Sequence, residues 1–135
     1  MLRRVVVAYD FSEHADDALS WAADLARPLG ATLSLVHVTD ADPDDPGVAS
    51  VRRALARLGD ELGPDVATHV VFDRDIARGI VHHAEEVAAD AIVVASRRLG
   101  ALQRFFVGSV ADEVLRRAHC PVILVREGDD AHGGD

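Results

Sequence analysis

The sequence predicts an α/β domain built on a five-stranded parallel sheet with helices on both faces. Short runs of valine, isoleucine, leucine and alanine alternate strictly with longer segments whose apolar residues recur every three or four positions, so strands and helices take turns along the chain. The strand-like runs are apolar without interruption, which suits strands covered on both sides. Hydrophobic residues make 49% of the chain and aromatics only 4%, so the core must be assembled from small and branched aliphatic side chains. In such a sheet ligands bind outside the carboxyl ends of the strands.

The 135 residues match one domain, since single domains cluster near about 100–150 residues. Residues 1–127 are assigned to it. Residues 128–135 lack an apolar anchor and are expected to be a mobile C-terminal tail. Arg3–Tyr9 (RRVVVAY) is the first strand, with Asp10 at its carboxyl end. Ser12 is the N-cap of a helix whose apolar face is Ala15, Ala18, Leu19, Ala22, Leu25 and Ala26, and Pro28 and Gly30 are expected to stop it. Trp21 falls beside that face and is read as partly buried packing. Ala31–Val38 is the second strand, and the acidic, proline-containing TDADPDDPG that follows is a loop. Val48–Leu62 repeats Val51, Leu55, Leu58 and Leu62 at helical spacing and ends at Gly63-Pro64. Val66–Phe72 is the third strand, Asp75 caps a helix over Ile76–Ala88, and Ala91–Ala95 is the fourth strand. Beyond a loop, Gly108-Ser109 opens a helix with Ser109 as its expected N-cap and Asp112 at capping-box spacing. Backbone N–H groups at such a helix end attract phosphate. Pro121–Arg126 (PVILVR) completes the sheet.

Formal net charge is −9, and every one of the 14 basic residues is an arginine. Nucleic acid is therefore not an expected partner. An aspartate-rich, lysine-free surface fits a saline interior, where salt screens self-repulsion, or equally a high-GC genome. No apolar run reaches the roughly 18 residues of a membrane span, and MLRRVVVAYD turns polar too early for a signal peptide, so a cytoplasmic protein is expected. Cys120 is the single cysteine and has no internal partner. His82 and His83 are adjacent on one helix and point in different directions, while His14, His69, His119 and His132 are scattered and suit solvated or capping roles. No bound metal is expected. Ser12, Ser96 and Ser109 lack a base beside them, so no catalytic constellation is recognised.

The stretch Ala91–Arg126, AIVVASRRLGALQRFFVGSVADEVLRRAHCPVILVR, resembles the universal stress protein family, and the resemblance extends over nearly the whole chain. It implies a Rossmann-like, adenine nucleotide alpha hydrolase-like sheet of order 3-2-1-4-5, with a switch-point crevice between the strands ending at Tyr9 and Ala95. Nucleotide-binding members of the family carry Gly-x-x-Gly after the fourth strand and, after a fixed spacer, Gly followed by Ser or Thr. The second half stands here as Gly108-Ser109; Ala95 and Arg98 occupy the positions of the first two glycines, although Gly100, Leu102, Arg104 and AHCPVILVR match the family.

The resemblance implies adenine or ribose contacts for Asp10, which the residues alone also allow to cap the following backbone. It implies backbone contacts to adenine at Val38 and triphosphate contacts at Gly108 and Ser109. Ala95 adds a methyl group, and Arg98 either fills the phosphate space or forks a phosphate. The implied cofactor is ATP or AMP, with magnesium only alongside ATP. The expected function is a small regulatory stress-response protein, not an enzyme, whose ATP binding is weakened or lost. The alternative is an ATP-binding protein that hydrolyses ATP slowly through the same crevice. Family members also dimerise through the last strand, and Pro121–Arg126 is too apolar for an exposed sheet edge, so a homodimer is expected.

Overall fold

The computed structural model describes residues 2–96 and 108–126. Strands and helices alternate throughout: β1 (Arg4–Ala8), α1 (Glu13–Leu29), β2 (Thr32–Thr39), α2 (Gly47–Leu62), β3 (Val66–Phe72), α3 (Ile76–Glu86), β4 (Ala91–Ser96), α4 (Ser109–Arg117) and β5 (Val122–Arg126). The sheet has the order β3-β2-β1-β4-β5, and all four strand pairs are parallel. Both the parallel sheet and its order match expectation.

Why β1 is uninterrupted valine follows from its place in the centre. The pleat sends Val5 and Val7 to one face and Val6 to the other, and all three are buried. Val5 and Val7 join Leu33, Leu35, Val93, Leu55 and the alanine face of α1. Val6 joins Val36, Val38, Ile92, Val94, Ile80 and Val114 beneath α3 and α4. Alanine is the commonest buried residue of α1, which lets the helix lie close on the sheet. At the edge, Val122–Val125 of β5 are only half-buried, and β4 is their one strand neighbour.

The structure differs from expectation at several element ends. Pro28 does not stop the first helix; it lies in the last turn of α1, where a proline forfeits a single backbone bond. Gly30 ends the helix at φ 66°, its N–H reaching the Ala26 and Arg27 carbonyls. The third helix ends at Glu86 rather than Ala88, because Ala88 takes a left-handed φ of 54°. Trp21 is 43% exposed, since it flanks the buried alanine row instead of joining it. No described helix is long and apolar enough to cross a membrane. The expected tail lies outside the described residues.

Candidate functional site

In the order β3-β2-β1-β4-β5 the crossover from β1 runs to one side and the one from β4 to the other, so a gap opens at the carboxyl ends of β1 and β4. A cleft of about 130 Å³ occupies it. Val36, Val38 and Val94 form its floor, Ile76 and Ile80 of α3 one wall, and Val110 and Ala111 of α4 another, with Tyr9, Asp10 and Ala95 at the rim. Three of the residues singled out from the sequence, Asp10, Val38 and Ala95, thus meet in one place. Arg98 and Gly100 lie outside the described residues.

Gly108 and Ser109 lead directly into the two α4 residues that line the cleft. Ser109 is not the N-cap. Gly108 holds that position at φ 89° and ψ 149°, a conformation that a side chain would strain, and no side chain caps the helix among the described residues. Asp112 does not complete a capping box either; its carboxylate meets Arg116 Nε at 3.0 Å. The first-turn N–H groups give this end of α4 the partial positive charge of a helix N-terminus.

The turn from β1 into α1 fixes Asp10. Its Oδ1 accepts hydrogen bonds from the Ser12 N–H at 3.0 Å and from the Ser12 hydroxyl. Ser12 in turn caps α1, accepting the Ala15 N–H at 3.1 Å. Such a closure between residues two apart turns Phe11 into the left-handed region, at φ 65°. A non-glycine residue is costly there, and neighbours hold it. The Phe11 ring meets Tyr9 edge-on at 4.9 Å and His37 at 5.1 Å. His37 Nδ1 lies 2.9 Å from the Tyr9 carbonyl oxygen, and because a carbonyl only accepts, that nitrogen carries a proton. The Tyr9 hydroxyl donates to Asp16, and burial, then this bond, raise its pKa well above the ordinary phenol value. This aromatic set was not anticipated; the signal available was an aromatic on each side of Asp10. The two alternatives for Asp10 also prove compatible, because capping uses Oδ1 and Oδ2 has no hydrogen bond among the described residues.

Below the cleft, Asp73 and Arg78 form a two-pronged pair at 3.0 and 2.7 Å. The hydrogen bond from Arg78 leads in lowering the Asp73 pKa to about 2. Asp75 caps α3 as expected, accepting the Arg78 N–H at 3.0 Å, and also receives Arg117 from α4. The Asp75–Arg117 pair ties together the two helices that wall the cleft. Among the described residues, no three histidine, cysteine, aspartate or glutamate side chains come close enough to hold a metal ion.

The sequence model of the universal stress protein family matches residues 1–126. Among curated relatives, a universal stress protein of Thermus aquaticus is 34% identical, over 93% of this chain and all of its own length. Among solved structures, a universal stress protein from Archaeoglobus fulgidus in complex with dAMP is 30% identical, with a TM-score of 0.72 over 92% of this chain and 98% of that one. A universal stress protein in complex with cAMP is 26% identical, with a TM-score of 0.75 over 93% and 97%. In sheet order and sequence alike, this chain belongs to the universal stress protein family.

Proposed function

We propose that the cleft binds an adenine nucleotide and that the chain acts as a small regulatory stress-response protein rather than as an enzyme. The observation that carries this reading is the meeting of Asp10, Val38 and Ala95 with the first turn of α4 in one cleft at the switch point. A flat heterocycle suits the valine and isoleucine walls. The cleft's 130 Å³ falls below the roughly 300–1,000 Å³ of sites that enclose a whole ligand, so one ring system fits inside and the rest extends outward. Asp10 Oδ2 suits a ribose hydroxyl or an amino group, the Val38 backbone suits the base edge, and Gly108 and Ser109 suit phosphate. Relatives solved with dAMP and cAMP support an adenylate as the ligand class. Magnesium would accompany only the triphosphate. Calorimetric titration with AMP and ATP, with and without magnesium, tests the reading; no heat of binding from either nucleotide would overturn it.

The triphosphate is the weaker ligand in this proposal, because Ala95 and Arg98 stand where nucleotide-binding relatives have glycine. Ala95 adds a methyl group at the cleft, and a positive φ at position 98 would cost a non-glycine residue about 1–2 kcal/mol. Replacing both, Ala95→Gly with Arg98→Gly, should therefore strengthen ATP binding roughly five- to thirtyfold. Weaker ATP binding by the double variant would make Arg98 a phosphate ligand and the site an altered one.

The assembly proposed is a homodimer through β5. Half-burial of Val122–Val125 at a sheet edge leaves apolar side chains and backbone groups for a second copy to cover. Light scattering in high salt at micromolar concentration should give twice the mass of the 14.4 kDa chain. A monomer there would reject it.

A further inference from the structure

On the face of the sheet opposite α1, one histidine sits in a layer that is otherwise aliphatic. His83 is 5% exposed and shares the inward face of α3 with Ala77, Ile80, Val81 and Ala84. Its Nε2 lies 2.9 Å from Ser34 Oγ on β2. Its ring centroid is 4.7 Å from that of His69 on β3, with the planes tilted by 50°. Two turns and one turn earlier along α3, Ile76 and Ile80 wall the cleft, and Gly79 presses against Val38. The helix that closes one side of the cleft is thus fastened to the sheet through a titratable side chain.

Neutral imidazole suits this position, with one hydrogen bond to Ser34 and a ring neighbour. A proton would put charge into an apolar layer beside a second imidazole ring. Burial first, and then His69, hold the His83 pKa below its ordinary value, while Glu86 on the same helix pulls the other way. A histidine depressed in the fold takes its proton first in the opened state. Its contribution to stability is therefore complete above the ordinary pKa of about 6.5 and is lost as pH falls from there toward the folded value. The two carboxylates just before α3 do not produce this dependence. Asp73 and Asp75 are held below the ordinary carboxylate range, by their hydrogen bonds with Arg78 above all, and stay ionised. His119 Nε2, beyond the end of α4, lies 3.2 Å from Glu85 Oε2.

We propose that Ser34, His69 and His83 form an acid-released latch on α3: protonation of His83 frees the helix from β2 and β3 and removes one wall of the cleft. Release of α3 stands on these contacts alone. Its consequence, a nucleotide held near neutral pH and discharged in acid, rests on the nucleotide reading above.

Hydrogen exchange of the free protein at about pH 7.5, 6.5 and 5.5, corrected for intrinsic exchange, separates the two. Opening of α3 relative to α1 should rise by up to about tenfold between pH 6.5 and 5.5, the most that uptake of one proton per opening event gives. His69→Gln, at an exposed position, should blunt the rise, and His83→Gln, where it folds, should abolish it. His119→Gln should leave the rise intact or steepen it. Parallel opening of α3 and α1, or an undiminished rise in His69→Gln, would overturn the latch. AMP titrations at the same pH values read the coupling. Affinity that falls as α3 opens supports it, and affinity indifferent to an α3 that does open sinks it. No AMP binding at any pH sinks the nucleotide reading while the exchange data still decide the latch.

Discussion

An Ile92→Ala variant is expected to lose about 2–5 kcal/mol of unfolding free energy, a large share of the roughly 5–15 kcal/mol that a domain holds in all. Ile92 is wholly buried, at 0% exposure. It stands on β4 between Val6 of β1 and Val122 of β5, in the cluster that also holds Val36, Ile80, Val94 and Val114. Truncation removes three carbons from a layer between a hydrogen-bonded sheet and two helices that ion pairs hold in place, so little can move in to fill the void. Urea unfolding measures the loss. A change below about 1 kcal/mol would mean that α3 and α4 collapse onto the sheet freely, contrary to the tight packing inferred here.

Gly79→Ala is expected to harm both stability and ligand binding. A methyl group at this position would lie 2.6 Å from Val38 Cγ1, 3.1 Å from Cγ2 and 3.3 Å from Asp73 Cβ. Alanine favours a helix over glycine by about 1 kcal/mol, but overpacking of this kind costs about 1–3 kcal/mol, so the net effect is destabilising. The displaced side chain is a floor residue of the cleft, so Val38 turns inward or α3 moves out. Either way AMP affinity should drop by roughly tenfold for each 1.4 kcal/mol of strain relieved at the ligand's expense. Unchanged stability together with unchanged AMP binding would show that Val38 rotates harmlessly and that the cleft floor is soft.

Much of this architecture could be read from the residues because the central strands are apolar on both faces, which betrays a parallel sheet, and because Ser12, Asp75 and Gly30 punctuate helices in ways their chemistry demands. Strand order needed the family resemblance, since periodicity says nothing about which strands are neighbours. Element ends were less legible. Pro28 looked like a stop, yet a proline in a last turn loses one bond and the helix closes at Gly30. Ser109 looked like a cap, yet a glycine at positive φ took the position; cap rules weigh side-chain acceptors and are blind to a backbone that caps by conformation. The crevice itself was legible at Asp10, Val38 and Ala95. His83 was not, although Ile76, Ile80, His83 and Val87 recur at helical spacing and so place the imidazole inward.

Asp90 Oδ2 accepts the N–H groups of Arg3 and Arg4 at 2.8 and 3.0 Å, bonds between residues 87 and 86 positions apart. Together with the register Val5↔Ala91 to Val7↔Val93, they close a seam between the two halves of the chain. On one side of β1 the sheet grows through single helical crossovers, to β2 and then to β3; on the other, nothing pairs until the polypeptide has travelled through α3 and come back. Closing so long a loop is entropically expensive and comes late in folding. The cleft lies on this seam, so a half-assembled chain has a sheet but no site. Any ligand that occupies it binds only the completed molecule, and by mass action holds together the join that forms last.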